Sequence, residues 1–475
     1  MRYSPLLTDL YQLTMLAGYL EEEMTETPTV FDLFFRNNPF HGGYAVFAGL
    51  DTALGFLENL QFSEEELEYL QGLRIFRPAF IDFLRGFRFR GKVTAVAEGT
   101  TVFANEPLLT VEATLAQAQL VETALLNIIN FQTLVATKGA RIVHAAAGGT
   151  VLEFGLRRAQ GPDGGVSEAR AAYVGGVRST SNVLAGKLFD IPVKGTHAHS
   201  WIMAFPDELT AFRKYAEVFP DTCILLVDTY DTLKSGIPNA ITVARELREQ
   251  GHELVGVRID SGDLAYLSRE TRQMFDEAGF PSVKIVASNE LDEFVIESIR
   301  AEGGRVDIYG VGTRLATCAG EGGGALGGVY KLVRIGDSPR LKVTSDIAKA
   351  TLPDRKRLLR AVAPDGSFIQ DVICLAGEEP KPGETVFDPG NPLQHVAIPR
   401  NARFEEMRSV VMAEGKRTAP SPPLDEAADR CAQELSRLPQ GCLRFINPHR
   451  YKVSVSAGLN DLRLSLVDEI QRGYR

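Results

Sequence analysis

The feature that most constrains this fold is a series of short apolar runs between residues 150 and 315, with helical segments lying between them. The runs are nearly continuous in apolar residues, which is typical of strands that are covered on both faces. Repeated strand–helix units indicate a parallel sheet, and this many units predict a closed or partly closed α/β barrel. The runs are Val151–Leu156, Ile191–Val193, Cys223–Val227, Leu254–Ile259, Val283–Ala287 and Val306–Tyr309, and the helical segments include Pro238–Gln250 and Leu264–Ala278.

Residues 1–115 have a different pattern, which mixes helical and strand signals. The segment Phe62–Gln71 predicts a capped helix, because a serine and a glutamate stand at the spacing of a capping box. The segment Gly91–Glu112 alternates apolar residues with turn formers, as short strands do. Ala116–Lys138 is the longest helical pattern without an internal glycine or proline, and we expect it to link this part to the next.

The pattern changes again near residue 325, after the glycine-rich stretch Gly320–Gly328. Antiparallel-type strands are predicted at Val329–Ile335 and Arg340–Thr344, and a helix is predicted over Pro422–Arg437. The strand–helix region is thus flanked on both sides by segments of another type.

Composition narrows the possible partners and the location. The 475-residue chain carries 51 Lys and Arg against 61 Asp and Glu, a net charge of −10, so we expect no nucleic-acid or membrane partner. Anions must then be bound by local clusters of Arg, Lys and helix N-termini. Five cysteines without CxxC spacing argue against a disulfide framework or a zinc site. The N-terminal pattern is not that of a signal peptide and no run approaches about 18 apolar residues, so a cytoplasmic location is expected.

Polar residues directly follow four of the predicted strands. Because the carboxyl ends of parallel strands meet on one face, we expect these residues to converge on one site. They are Arg157 and Arg158 after the first run, Thr196 and His199 after the second, Arg258, Asp260, Ser261, Gly262 and Asp263 after the part Leu254–Val257 of the fourth, and Gly310, Gly312 and Thr313 after the last.

Each of these clusters has a chemical and a structural interpretation. The planar guanidinium groups of Arg157 and Arg158 suit phosphate or carboxylate, or could form surface ion pairs. Asp260 and Asp263 could hold Mg²⁺ or face a developing cation. Alternatively, Ser261 or Asp263 could cap the helix that follows.

The glycine turn and His199 likewise have both a chemical and a structural interpretation. Gly310–Thr313 could bring backbone N–H groups to a phosphate, or could be a tight strand–helix turn. His199 can act near pH 7 as a base, a metal ligand or a phosphoryl acceptor, although an isolated loop histidine is more often structural. The chain shows no Ser–His–Asp or Cys–His order, no GxGxxG and no GxxxxGK[ST] loop. These residues favour an enzyme that handles a phosphorylated, multiply anionic substrate, and they do not identify the reaction.

Taken together, the motifs resemble those of the nicotinate phosphoribosyltransferase family, from the first helix into the C-terminal segment. The combination is specific to that family, although each piece alone is not. The matching segments are TDLYQ at Thr8–Gln12, LEFGLRRAQGPDGG at Leu152–Gly165, SNVLAG at Ser181–Gly186, GTHAHS at Gly195–Ser200, VRIDSGDL at Val257–Leu264 and YGVGT at Tyr309–Thr313.

The resemblance implies an irregular TIM-like α/β barrel with an α+β accessory domain that is built from both chain termini. We therefore expect residues 116–324 to form the catalytic barrel. Residues 1–115 and 325–475 would form the accessory domain, with a C-terminal extension in the second of them. The resemblance also implies a homodimer with shared active sites, in which Tyr11 of one subunit stacks on the pyridine ring bound by the other.

The resemblance further implies a role for each site residue. His199 matches the histidine that ATP phosphorylates, Asp260 would face the cationic sugar, and His197 stands at a variable position with no assigned role. Asp260 with Asp263 would hold Mg²⁺ or Mn²⁺. Nicotinate would be held by Tyr11, Arg157, Thr196 and Arg258, and 5-phosphoribosyl 1-diphosphate by Arg158, Ser261, Gly262, Gly310, Gly312 and Thr313.

The implied reaction is an ATP-dependent, ligase-type transfer of phosphoribosyl to nicotinate, which gives nicotinate mononucleotide and diphosphate in NAD salvage. Nicotinamide and quinolinate are the alternative acceptors. Nicotinamide-using relatives place an acidic side chain near Arg178–Asn182, where this chain has none, and quinolinate would need more basic residues. A catalytically inactive metabolite-binding relative is the other alternative, which the intact His199, Arg258 and GVGT glycines disfavour.

Overall fold

The computed structural model describes residues 3–343 and 351–473. The chain divides into two compact units, one formed by Met1–Leu134 with Ala325–Arg475 and the other by Val135–Gly324. The first division falls inside the 25-residue helix Glu122–Ala146, and the second falls in the glycine-rich stretch.

The unit Val135–Gly324 is built around an open parallel sheet of five short strands. In chain order these are β1 Thr150–Glu153, β2 Ile224–Leu226, β3 Gly256–Ile259, β4 Lys284–Ser288 and β5 Ile308–Val311, and they lie in the order β1-β5-β4-β3-β2. Most of their residues are buried, as the continuous apolar runs predict. The helices are Gly161–Val174, Val183–Phe189, His199–Met203, Glu208–Val218, Ile237–Glu249, Leu264–Glu277, Glu293–Ala301 and Thr313–Ala316, with a 3₁₀ turn at Leu156–Arg158 and a π-helical turn at Thr232–Gly236.

Aspartate side chains determine where three of these helices begin. Asp207 accepts a hydrogen bond from the Thr210 N–H at 2.8 Å, and Asp263 accepts one from the Tyr266 N–H at 2.9 Å. Asp292 caps Glu293–Ala301 in the same way. Such caps are each worth about 1 kcal/mol and allow the helix to start directly after a short loop.

The mixed α/β fold is confirmed, but the described residues form no closed barrel. Beyond β1 the sheet continues only through two single-residue parallel bridges, from Glu153 to Thr180 and from Thr180 to Val193. The strand predicted at Ile191–Val193 is reduced to one bridging residue, because Pro192 has no N–H to donate to a ladder. At the other edge, β2 is only three residues long.

In the unit formed by both termini, strands from the two ends of the chain lie in one sheet. Its seven-stranded antiparallel sheet has the order Ser338–Pro339, Gly328–Ile335, Pro28–Phe35, Leu109–Thr114, Lys92–Val96, Arg408–Ala413, Lys416–Arg417. A mixed six-stranded sheet has the order Asn391–Ala397, Thr385–Asp388, Lys452–Val455, Phe368–Leu375, Lys356–Val362, Arg403–Glu406, and Ala45–Val46 pairs with Thr101–Val102. The helices are Leu10–Glu21, Leu50–Glu58, Glu64–Gly72, Pro78–Arg85, Leu115–Leu120, Leu424–Arg437 and Ala457–Gly473, with 3₁₀ turns at Pro39–His41 and Gln440–Leu443.

Several local predictions for these flanking segments are confirmed. The helix Glu64–Gly72 begins with the expected capping box, and Leu424–Arg437 is helical. The strand Gly328–Ile335 is present, but the strand predicted at Arg340–Thr344 is wrong over its described part, because the pairing ends at Pro339. Thr344 itself lies outside the described residues.

The long helical pattern is present with different ends. It forms Leu115–Leu120 and then Glu122–Ala146, which runs eight residues beyond the predicted end at Lys138. The helix passes through Gly139, where a Cβ would lie 3.3 Å from the carbonyl oxygen of Ala172. Glycine is tolerated inside this helix because it allows another backbone to approach closely. In the described part of the chain, no helix has both the length and the apolar content to cross a bilayer.

Candidate active site

A cleft of about 490 Å³ lies at the carboxyl ends of the parallel strands. It brings together residues from four of the predicted strand-end clusters, as the sequence analysis expects. Predicted residues in its lining are Arg157, Arg158, Thr196, His199, Arg258, Asp260, Gly310, Gly312 and Thr313, and the rest of the lining is Phe154, Leu156, Ser181, Gly195, His197, Ala198, Ser288, Asn289 and Glu290.

Four predicted residues do not line this cleft. Ser261, Gly262 and Asp263 follow Asp260 in the loop after β3. Tyr11 belongs to the other unit, in the helix Leu10–Glu21, and is 47% exposed.

The arginines form a cationic part of the cleft, and none of them makes an ion pair with a carboxylate of the described residues. Arg157 and Arg158 are exposed in the 3₁₀ turn after β1, and neither forms an ion pair within the described residues. Arg157 lies close enough to Arg258 for its charge to lower the pKa of that guanidinium. The surface ion-pair interpretation of these arginines therefore finds no partner in the part of the chain that the structure describes.

A hydrogen bond to the backbone holds the side chain of Arg258 in place at the cleft. Its Nη2 donates to the carbonyl oxygen of His197 at 2.9 Å, while its buried Nε has no partner among residues 3–343 and 351–473. Burial is the main cause that lowers its pKa, and the nearby Asp260 and Asp228 act in the opposite direction. A half-buried guanidinium with unused donors is suited to bind a planar carboxylate.

His199 is positioned between a hydroxyl and a carboxylate. Its Nδ1 lies 3.2 Å from the Thr229 hydroxyl, and its Nε2 lies 3.7 Å from Oδ2 of Asp260. The side chain is 42% exposed and opens the helix His199–Met203. An accessible imidazole beside a carboxylate is suited to accept a phosphoryl group or a proton.

His197 has a structural position. It is 8% exposed, its ring packs edge-on to Tyr215 with centroids 4.6 Å apart, and its Nε2 accepts the N–H of Leu226 at 3.2 Å. Leu226 ends β2, the edge strand, so the imidazole takes the place of a missing neighbouring strand at that donor. The bond also ties the loop containing Thr196 to the sheet. Since Nε2 accepts, the imidazole is neutral with its proton on Nδ1.

The loop after β3 is organised by Asp228, which the sequence analysis missed. Oδ2 of Asp228 accepts from the Asp260 N–H at 2.9 Å and from the Ser261 hydroxyl at 2.5 Å, and its Oδ1 has no partner in the described part of the chain. Asp228 directly follows the run Cys223–Val227, which is the same strand-end signal that located the other clusters.

The two predicted metal ligands in this loop, Asp260 and Asp263, have different roles. Asp263 is the helix cap, and Asp260 accepts from the Ser288 hydroxyl through Oδ1. No group of three or more His, Cys, Asp and Glu within the described residues is placed to hold a metal ion. Mg²⁺ often uses only one or two carboxylates together with water and substrate oxygens, so Asp260 and Asp228 fit such a site and Asp263 does not.

The glycine turn has a steric cause. A Cβ at Gly310 would come within 2.6 Å of the Phe154 ring, and one at Gly312 would come within 3.0 Å of the Phe154 carbonyl oxygen. Thr313 starts the short helix Thr313–Ala316 and donates its hydroxyl to Glu290 at 3.0 Å. Both interpretations of the turn therefore remain compatible with the structure, because the packing requires glycine and the turn also faces the cleft.

The buried imidazole of His197 makes stability depend on pH. Burial lowers the pKa of His197 from 6.5 to about 4. The unfolded chain therefore takes up this proton near pH 6.5 and the folded chain only near pH 4, so the free energy of unfolding falls as the pH drops through that window. We expect His197 to account for a loss of about 2 kcal/mol between pH 7 and pH 5, measured by urea unfolding.

In His197→Gln this pH-dependent part should disappear, because an amide can accept from the Leu226 N–H without titrating. His252→Ala, which removes a more exposed imidazole paired with Asp221 at 2.7 Å, provides a control in which the loss assigned to His197 should remain. An identical slope for the wild type and His197→Gln would contradict the assignment.

The cleft arginines lie at the carboxyl end of a parallel sheet and have no ion-pair partner among residues 3–343 and 351–473. Such an arrangement is typical of enzymes that bind phosphorylated or carboxylated substrates, and the fold and site place this chain in that class. Comparison with known proteins narrows the class. Models of the nicotinate phosphoribosyltransferase N-terminal domain, family and C-terminal domain match residues 6–130, 150–358 and 355–463. The chain belongs to the nicotinate phosphoribosyltransferase family.

Individual relatives are similar to this chain over nearly its whole length. A nicotinate phosphoribosyltransferase of Bacillus subtilis is 42% identical over 98% of this chain and 95% of its own length. The human nicotinate phosphoribosyltransferase is 37% identical over 97% of this chain and 96% of its own length. The crystal structure of human nicotinic acid phosphoribosyltransferase superposes with a TM-score of 0.86 at 35% identity, covering 97% of this chain and 99% of that one.

Proposed function

We propose that this protein transfers the phosphoribosyl group of 5-phosphoribosyl 1-diphosphate to nicotinate, giving nicotinate mononucleotide and diphosphate in NAD salvage. The observation that carries the proposal is that Arg258 and Arg157 both line the cleft, close enough for the charge of Arg157 to lower the pKa of Arg258. Two such cations favour an anionic substrate and would bind the carboxylate of nicotinate, with Thr196 beside them.

The residues around Ser181 favour nicotinate over nicotinamide. Ser181 lines the cleft, and Arg178–Asn182 contains no carboxylate that would repel nicotinate or receive the amide of nicotinamide. A like charge at that position would disfavour an anionic substrate.

The chemistry of the transfer needs no general base on nicotinate. The pyridine nitrogen attacks C1 of the ribose with its own lone pair, while the bond from C1 to diphosphate breaks and diphosphate leaves with the bonding electrons. Asp260 would face the positive charge that develops on the sugar, and Arg158 and the Gly310–Thr313 turn would bind phosphate oxygens. Tyr11 of a partner subunit would stack on the pyridine ring, so we propose a homodimer with shared active sites.

A divalent cation belongs to this proposal. Mg²⁺ or Mn²⁺ would neutralise charge on the leaving diphosphate, and Asp260 with Asp228 are the carboxylates placed to contribute to its binding. The protein's own part is to orient the two substrates, which can supply much of the rate enhancement.

We further propose that ATP phosphorylates His199. Phosphorylation of an accessible imidazole in the cleft would couple ATP hydrolysis to substrate binding and to a more favourable net reaction. The exposure of His199 and its position beside Asp260 and Thr229 support this role. We expect the reaction to take place in the cytoplasm.

A turnover assay tests the substrate assignment. Purified protein with nicotinate, 5-phosphoribosyl 1-diphosphate, Mg²⁺ and ATP should release nicotinate mononucleotide, detected by chromatography. Nicotinamide and quinolinate in place of nicotinate should give little product. Turnover of nicotinamide without turnover of nicotinate would refute the assignment, and binding of the substrates without any turnover would favour an inactive relative.

A further inference from the structure

A buried carboxylate beside the cleft has no part in the roles proposed above. Glu153, the last residue of β1, is 1% exposed. One of its carboxylate oxygens accepts a hydrogen bond from the Gly155 N–H, and the other accepts one from the Thr180 hydroxyl. The two oxygens thus bind two different segments of the chain.

The first segment is the turn that carries the cleft arginines. Gly155 directly precedes Leu156–Arg158, and its carbonyl oxygen accepts from the Arg158 N–H at 2.8 Å. A Cβ at Gly155 would lie 3.0 Å from the Glu153 carboxylate and 3.1 Å from the Gly312 carbonyl oxygen. The carboxylate, the arginine turn and the glycine turn therefore meet at one point.

The second segment leads to Thr196. Thr180 forms parallel bridges to Glu153 on one side and to Val193 on the other, and its carbonyl oxygen accepts from the Lys194 N–H at 3.0 Å. Thr180 also directly precedes Ser181, a cleft residue whose N–H donates to the Glu153 carbonyl oxygen at 2.9 Å. The positions of Ser181 and of the stretch Val193–Lys194 therefore both depend on where Thr180 is held.

Glu153 has an acidic neighbour in place of a cation. Glu168, in the helix Gly161–Val174, is fully buried, and neither of its oxygens has an N–H or hydroxyl donor in the described part of the chain. Burial first, and then the charge of Glu153 and a hydrogen bond to it, raise the pKa of Glu168 well above its usual range. Burial also raises the pKa of Glu153, and the shift of Glu168 toward its protonated form allows Glu168 to donate a hydrogen bond to the Glu153 carboxylate.

We propose that Glu153 is a positioning residue for phosphoribosyl transfer, whose carboxylate holds the arginine turn and residues 180–196 in place while Glu168 donates a hydrogen bond that allows Glu153 to stay buried. The role rests on the proposed function for the identity of the substrates, and on the contacts of Glu153 for the rest. Glu153 is buried and is not among the residues that line the cleft, so it acts through Arg157, Arg158 and Thr196.

Glu153→Gln tests this role. Its amide can replace only one of the two acceptors, so the arginine turn or Thr180 loses its hydrogen bond. Misplacement of cleft groups by about 1 Å can cost about 100-fold in catalysis, and we expect the KM for nicotinate and the Kd for inorganic diphosphate to rise by about 10- to 100-fold. Calorimetric titration with inorganic diphosphate measures the second quantity without turnover.

Two variants separate positioning from a loss of stability. Glu293 is an equally buried carboxylate of the same unit, which binds Lys138 and Arg141 at 2.6 and 2.8 Å and does not line the cleft. Glu293→Gln should lower the melting temperature but leave both constants within about twofold of wild type. Glu168→Gln keeps a donor for Glu153 and should also leave both constants near wild type.

If Glu153→Gln fails to fold, the Thr180 pair provides the test. Thr180→Val removes the hydroxyl donor at nearly constant shape and should raise the Kd for inorganic diphosphate or the KM for nicotinate about tenfold. Thr180→Ser retains a hydroxyl and should keep both constants near the wild-type values. Unchanged constants in Glu153→Gln or Thr180→Val, an equal rise in Glu293→Gln, or an equal rise in Glu168→Gln would each overturn the proposal. Absence of nicotinate turnover in the wild type refutes the proposed function instead, and the diphosphate titration still decides the positioning role.

Discussion

Replacement of His199 by alanine is expected to abolish the incorporation of phosphate from ATP. His199 is accessible and lies beside Asp260 and Thr229, whereas the Nε2 of the neighbouring His197 is used by the N–H of Leu226. The first imidazole can therefore react with ATP, and the second cannot without breaking a buried hydrogen bond. Labelling with ATP that carries a radioactive γ-phosphate, followed by acid treatment, should show an acid-labile label in the wild type and none in His199→Ala.

A surface histidine of the same unit makes the comparison specific. His252→Ala, which removes an imidazole paired with Asp221, should retain full labelling. The variant His199→Ala should also lose the stimulation of nicotinate mononucleotide formation by ATP. Label retained in His199→Ala would place the modified residue elsewhere, with His197 the first to be examined, and would refute the role of His199.

Replacement of Arg258 by glutamine is expected to raise the KM for nicotinate by about 100-fold. Hydrogen bonds to charged groups contribute about 1.5–3 kcal/mol, and the half-buried position of Arg258 places it at the upper end of that range. The substitution also removes the donor to the His197 carbonyl oxygen, which holds the guanidinium toward the cleft. Steady-state kinetics with nicotinate as the varied substrate measure the effect.

Two further measurements show whether the effect is on carboxylate binding. Arg258→Lys keeps the charge but not the planar fork, so its KM for nicotinate should rise only about tenfold. The KM for nicotinamide, which has no carboxylate, should change far less than that for nicotinate in Arg258→Gln. An equal rise in the KM for both compounds would show that Arg258 supports the cleft in general and does not bind the nicotinate carboxylate. Arg269→Gln, at an exposed arginine that donates to the Glu302 carbonyl oxygen, should leave both values unchanged.

Much of the candidate site was predictable because it follows a local rule. Residues just after a buried strand of a parallel sheet lie at its carboxyl end, so Arg157, His199, Arg258 and Thr313 could be placed on one face from their positions in the chain. The same rule applied to Asp228, which the sequence analysis did not use. Ser288 carries the same signal, because it directly follows the predicted run Val283–Ala287, although the strand β4 extends through it in the structure.

Other parts of the site depended on contacts that the local pattern does not contain. The open sheet results from edge pairing, since Pro192 limits one edge to single bridges and the side chain of His197 satisfies a donor on the other. Pairing between distant segments is set by register and packing, which periodicity does not specify. The choice of Asp263 as a helix cap, left open with Ser261, was likewise decided by where Asp228 lies.

The sequence by itself determined the strand–helix order, the strand-end residues and the family resemblance, because these depend on local spacing and on motif combinations. The tertiary structure alone decided which of the two histidines is accessible, that the cleft arginines have no carboxylate partner in the described residues, and that Glu153 meets two cleft segments at once. These properties arise when residues far apart in the chain are buried against each other, and burial and hydrogen-bond partners then determine which groups stay neutral, charged or free to bind a substrate.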